Sequence, residues 1–167
     1  MKKILIPFVL LLISCSTNKP KSDLGAPSFT IQNPCPNDGN CSFELIKNKS
    51  ILPKTDGIGK PYYELVDNAE KSVYLYNYSN KVIDSTLQDA GYREEIIFEI
   101  ENKLADFNYS GLEIQNTKMF FGVFCFCRGK AGYYPVSTGS VSKKNNAISI
   151  EIPSIVSNQK TVKLNIK

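Results

Sequence analysis

Apolar residues recur at alternate positions along most of this chain, while the three-and-four spacing of an amphipathic helix is nearly absent. A period of two predicts strands. Residues 42–49 place Phe43 and Leu45 on one face, and residues 72–78 set Val73 and Leu75 against Tyr74, Tyr76 and Tyr78. β-branched and aromatic side chains suit such a pleated surface. Residues 93–101 send Ile96, Phe98 and Ile100 inward and leave Glu95, Glu99 and Glu101 on the other face beside Ile97, which reads as a half-solvated strand.

Residues 119–127 differ. Met119, Phe121, Val123, Cys125 and Cys127 share one face and Phe120, Phe124 and Phe126 the other, so this strand is expected to be covered on both sides. Residues 133–137, 140–142 and 147–152 read as a meander, with Asn145 and Asn146 suited to the positive dihedrals of a tight turn. Residues 161–166 close the chain with Val162, Leu164 and Ile166 inward. Two short helices are expected, at 84–90 and at 101–107 before Gly111. The pattern as a whole predicts a mostly-β domain over residues 29–167, a single antiparallel β-sandwich or a partly closed barrel with one or two short helices.

The beginning of the chain carries a different signal. Lys2 and Lys3 precede an apolar run of about ten residues, the length of a secretory h-region and half of what a bilayer span needs. The run closes on Leu12-Ile13-Ser14-Cys15, which resembles the lipobox of bacterial lipoproteins. That resemblance covers the leader alone. It implies removal of residues 1–14, diacylglycerol on the Cys15 sulfur and acylation of the new amino terminus, and two or more acyl chains make membrane attachment stable. Ser16 stands where an aspartate would imply retention at the inner membrane, so the outer membrane is the expected address. Residues 15–28 are polar, contain Lys19, Pro20, Lys21, Gly25 and Pro27, and read as a flexible tether with a reach of about 20 Å.

Charge narrows the choice of partner. The formal net charge of +4 falls to +2 when Lys2 and Lys3 leave with the leader, and the basic residues are scattered, with Lys143-Lys144 the densest pair outside the tether. No stripe of cations interleaves with aromatics, so a nucleic-acid groove is not expected. The chain has no histidine, which removes histidine-dependent triads and histidine metal sites. Nothing in the sequence calls for a cofactor or a metal.

Four cysteines remain after Cys15, an even number in a compartment where disulfides persist. Cys35 and Cys41 flank a turn-rich loop, whereas Cys125 and Cys127 sit two apart on a predicted strand, where Cα atoms would lie about 7 Å apart, at the edge of disulfide geometry. The expectation is therefore a cross-link from the Cys35/Cys41 loop to the later strand, with Cys41 joined to Cys125 or Cys127. Each such bridge would stabilise the domain by about 4 kcal/mol. The simpler alternative joins Cys35 to Cys41 and leaves Cys125 and Cys127 as a redox pair, or all four as a thiolate metal site.

Other motifs have mundane readings. Asp56-Gly57-Ile58-Gly59-Lys60 lacks the spacing of a phosphate loop and reads as a turn. Glu95 and Glu99 would serve a polysaccharide hydrolase if both faced one cleft, but outward carboxylates on one strand are ordinarily solvated. Arg128, Lys130, Tyr133 and Tyr134, directly after the cysteine strand, form the candidate contact surface. The expected function is that of a lipid-anchored, non-catalytic module of the cell envelope that binds protein or glycan, with the hydrolase and a thiol-redox or metal-binding lipoprotein as alternatives.

Overall fold

The computed structural model describes residues 29–33, 35–81 and 91–167. The predicted leader, Cys15, the tether and the expected helix at 84–90 lie outside them. Among the described residues, nine strands form two antiparallel sheets. The first carries, in spatial order, β1 (Gly39–Thr55), β2 (Pro61–Asn80), β3 (Arg93–Glu101), β5 (Phe120–Phe124) and β6 (Gly132–Pro135). The second carries β4 (Phe107–Ser110), β7 (Ser140–Lys144), β8 (Ala147–Glu151) and β9 (Lys163–Ile166). The sheets do not close on one another, so the architecture is a sandwich and not a barrel. No helix among the described residues is long and apolar enough to cross a membrane.

Alternation explains the core. The even-numbered residues of β2 and β3, Tyr74, Tyr76, Tyr78, Ile96, Phe98 and Ile100, meet Val141, Ile148, Ile150, Leu164 and Ile166 from the second sheet. Tyr74 stacks on Phe98 with ring centroids 5.0 Å apart. Asn145 and Asn146 make the β7–β8 turn with φ of 50° and 66°, as their side chains predict. At the other edge of the second sheet, residues 30–32 run alongside β9. Thr30 and Lys167 exchange backbone hydrogen bonds at 2.6 and 2.9 Å, and Gln32 N–H donates to Asn165 O at 2.7 Å.

The β1–β2 hairpin is much longer than its neighbours and does not stay in plane. Its register runs from Lys47 opposite Ser72 directly to Lys49 opposite Asp67, so four residues of β2 bulge against Asn48, which adopts a left-handed φ of 58°. Bulges bend the strands that carry them. Beyond this one the hairpin folds back across the outer face of its own sheet, where Ile51 meets Val73, Ile97 and Phe120 in a second apolar cluster, with Tyr63, Leu65 and Tyr133 at its margin. The outer face of β3 is therefore covered. Glu95 and Glu99, expected to be solvated, are buried at 7% and 2% exposure.

Three further expectations change. Residues 101–107 form no helix: Asn102 receives a hydrogen bond from the Ser72 hydroxyl and gives one to Ala69 O, which holds the chain in a turn, and Phe107 and Tyr109 then alternate in β4. The one short helix among the described residues is a 3-10 segment, Gly111–Thr117. Residues 132–135 join β5 in the first sheet, so the meander consists of β7, β8 and β9.

Gly39 marks the tightest approach in the hairpin, since a Cβ there would fall 2.1 Å from the Tyr78 ring and 2.8 Å from Ser79 O. Gly39→Ala is expected to lower stability by about 1 to 3 kcal/mol through overpacking, measured by urea denaturation. Gly57→Ala, with open space around its Cβ, serves as the control.

Candidate functional site

The candidate loop begins where β5 ends. Phe124 is the last residue of that strand, opposite Arg93, whose guanidinium lies 4.1 Å from the centre of its ring. The chain then bends at Cys125 and Phe126 and turns back through residues 128–130, with Gly129 at a φ of 77° that an L side chain rarely adopts. Lys130 N–H donates to Cys127 O at 3.2 Å, and the Tyr134 hydroxyl donates to Lys130 O at 2.8 Å. Gly132 restores pairing opposite Val123.

This bend corrects the cysteine geometry. Because the strand stops at Phe124, Cys125 and Cys127 are not held at extended spacing; their Cα atoms are 5.2 Å apart and the two are bridged to each other. Cys35 is bridged to Cys41, with Cα atoms 5.7 Å apart. The expected cross-link between the two regions is not made. Both bridges are local, with sequence separations of 6 and 2. Their chain-entropy contributions fall accordingly, from about 4 to about 2 and about 1.5 kcal/mol. Among the described residues, no group of three or more Cys, Asp or Glu is placed to hold a metal ion.

The four residues of the candidate contact surface divide into two pairs. Arg128 is exposed and Lys130 half-buried in the loop. Tyr133 and Tyr134 are engaged in packing: Tyr133 touches Tyr63, Phe120 and Phe124 under the hairpin, and Tyr134 packs against the main core while its hydroxyl holds Lys130. The residue missed by the sequence reading is Phe126, 92% exposed between the bridged cysteines. Its alternation with Phe124 suggested a covered strand, but Arg128-Gly129-Lys130 was the sign that the strand had already ended.

The two carboxylates considered for hydrolysis are buried and already hold partners. Glu99 accepts hydrogen bonds from the Ser50 hydroxyl and Ile51 N–H, each at 2.6 Å, and ion pairs with Lys71 and, at 3.0 Å, with Lys118. Burial alone would push its carboxyl up, but the Lys71 ammonium, the Ser50 hydroxyl, the Ile51 N–H and Lys118 together hold it below the usual carboxylate range. Glu95 accepts from the Tyr63 hydroxyl at 2.6 Å, and burial together with that carboxylate pushes the phenol far up, so it stays a donor. Both carboxylates lie beneath the folded hairpin.

A third buried carboxylate joins the two sheets. Glu94, at 0% exposure, accepts from the Tyr92 hydroxyl and Lys160 N–H at 2.6 Å and from Thr161 N–H at 2.8 Å. Its parity with Ile96 was the available signal for its inward position. Beside it, Lys160 pairs with Asp38 at 2.7 Å, and Asp38 also receives the Tyr78 hydroxyl. Burial, then this bond, pushes the Tyr78 phenol up to about 12. A pocket of about 280 Å³ opens here between Asn33, Cys35, Tyr76, Lys160, Thr161 and Lys163. Both of its lysines already have carboxylate partners, Asp38 and Glu151.

Compared with known proteins, the chain matches no protein family, no curated protein and no solved structure.

Proposed function

We propose that this chain is a lipid-anchored, non-catalytic binding module of the cell envelope that engages a protein partner through the loop around Phe126. The observation that carries the reading is the 92% exposure of Phe126 between two bridged cysteines, beside an exposed Arg128. An aromatic ring presented on a loop already bridged on both sides loses little conformational freedom when a partner covers it, and aromatic and arginine side chains dominate the energetics of protein interfaces. A protein is favoured over a glycan because Tyr133 and Tyr134, the aromatics a sugar would stack upon, are committed to internal packing. The lipid anchor rests on the lipobox resemblance at Cys15, and the outer membrane on Ser16. Catalysis by Glu95 and Glu99 is disfavoured by their burial and by the partners they already hold.

The test is saturable binding of the mature chain to detergent-solubilised envelope proteins, with purified sacculi as the glycan arm. Phe126→Ala with Arg128→Ala is expected to weaken protein binding by about tenfold or more, about 1.4 kcal/mol, without moving the melting temperature. Ile58→Ala and Leu112→Ala, at the other strongly exposed apolar side chains, serve as controls that leave binding unchanged. Binding that ignores Phe126, or that follows the sacculi alone, would overturn the protein reading.

A further inference from the structure

The loop that presents Phe126 holds a second chemistry, and we infer that Cys125 and Cys127 form a thiol–disulfide exchange site for a dithiol of another envelope protein. Three features separate this pair from Cys35 and Cys41. First, neither cysteine lies in a strand, since β5 ends at Phe124 and β6 begins at Gly132, so opening the bridge breaks no ladder hydrogen bond. Cys41, by contrast, sits in the β1–β2 ladder opposite Tyr78, and its Sγ receives the Tyr76 hydroxyl at 3.1 Å.

Second, the bridge spans a sequence separation of only 2, and opening so small a loop adds little chain entropy to the unfolded state, so the sandwich survives its reduction. The Lys130 N–H bond to Cys127 O and the Tyr134 hydroxyl on Lys130 O still hold the turn, so the two thiols stay close enough to re-form the bridge. Third, the exposed Phe126 lies between the two cysteines and the cations Arg128 and Lys130 follow within three residues of Cys127, whereas the lysines beside Cys35, Lys160 and Lys163, already hold the carboxylates of Asp38 and Glu151. Nearby cations favour the thiolate, which is both the attacking and the leaving form in exchange.

The exchange balances as follows. A partner thiolate attacks one sulfur of the bridge; an intermolecular S–S bond forms as the Cys125–Cys127 bond breaks, and the electron pair leaves on the other cysteine, which takes a proton from water. The partner's second thiol, on losing its proton, attacks the partner sulfur of the mixed disulfide and returns the electron pair to the attached cysteine. The partner dithiol is thereby oxidised to a disulfide, and Cys125 and Cys127 are reduced to two thiols. A disulfide-bearing partner runs the same steps in reverse.

Native-state alkylation and peptide mass spectrometry of the mature chain test this, with reduced glutathione as the thiol probe and dithiothreitol as the dithiol probe. Cys125 and Cys127 are expected to become alkylated about tenfold faster than Cys35 and Cys41, with the sheet signal in circular dichroism retained. Glutathione disulfide is expected to re-form the bridge, and Cys127→Ser to hold glutathione on Cys125 as a stable mixed disulfide. Equal opening rates, earlier opening of Cys35–Cys41, loss of the sheet on reduction, or thiols that refuse reoxidation would each overturn the assignment. The inference stands apart from the binding reading: slow exchange with Phe126-dependent binding removes only the exchange site, and fast exchange without such binding removes only the contact surface.

Discussion

Glu99→Ala is expected to release the β1–β2 hairpin from the outer face of its sheet and to cost the domain about 2 to 5 kcal/mol, a fall of about 10 °C in melting temperature. The substitution leaves the Ile51 N–H and Ser50 hydroxyl without their buried acceptor and takes the counter-ion from Lys71 and from Lys118, which keeps its hydrogen bond to Ile51 O. The two buried donors left unpaired are the costly part, because the Lys71 and Lys118 side chains are partly exposed to water. Because Ile51, Tyr63 and Leu65 would lose their seat on Val73, Ile97 and Phe120, limited proteolysis is expected to cut within residues 49–67 faster than in the parent, where these side chains pin the hairpin to its sheet. The same carboxylate makes the hairpin acid-sensitive. Its folded-state pKa is depressed, so its contribution is complete above its ordinary value of 4.5 and disappears as the pH falls through the lower folded value. Glu99→Gln is expected to flatten that acid limb while leaving less stability at neutral pH, which thermal melts between pH 3 and 7 would read directly.

The second large effect is expected at Glu94, where alanine removes one acceptor from three donors on two different segments. Two of those donors are the backbone N–H groups of Lys160 and Thr161, just before β9, and each buried donor left unpaired costs about 1 to 3 kcal/mol. A loss of about 3 kcal/mol in chemical denaturation is expected on that basis. Glutamine is expected to rescue little of it. Both carboxylate oxygens already accept, Oε1 from Tyr92 and Lys160 and Oε2 from Thr161, and an amide would turn an N–H₂ toward one of these donors. Full rescue by Gln would show that the site tolerates a donor and that the three bonds matter less than the volume they enclose.

Parity along the strands carried most of the architecture. The even positions of β2 and β3 and the paired faces around Phe120 and Phe121 were readable because a sandwich core imposes period two on each strand that lines it. What parity could not convey is that one sheet covers itself. Glu95 and Glu99 have the sequence character of solvent-facing residues, and only a bulge at residues 68–71, 24 or more positions before them, brings a lid of Ser50, Ile51 and Tyr63 over their face. The cysteine pairing was misread for a related reason: the Phe124, Phe126 alternation continued the strand pattern for two residues after the strand itself had ended. Local geometry thus decided the bridges, where an extended-strand assumption had ruled one of them out. Phe126 was invisible as a contact residue for the same cause, while Arg128 was recognised because charge marks a surface irrespective of strand boundaries.

The run of residues 30–32 beside β9 bears on how the domain takes load. The chain enters the sandwich at the Lys167 end of β9, whereas the Glu94 and Thr161 contacts place the start of β3, and with it Phe124 and the Phe126 loop, toward the opposite end. A tether pulling on Phe29 against a partner gripping that loop would draw residues 30–32 along their own axis. Their hydrogen bonds to Asn165 and Lys167 would then be sheared together and not peeled one by one, which is the more resistant geometry for a short ladder. If the ladder did yield, slippage would halt at Cys35, because its bond to Cys41 passes the force straight into β1. The small Cys35–Cys41 ring, modest as a contributor to equilibrium stability, would serve as a mechanical stop that confines any extension under tension to the residues ahead of it.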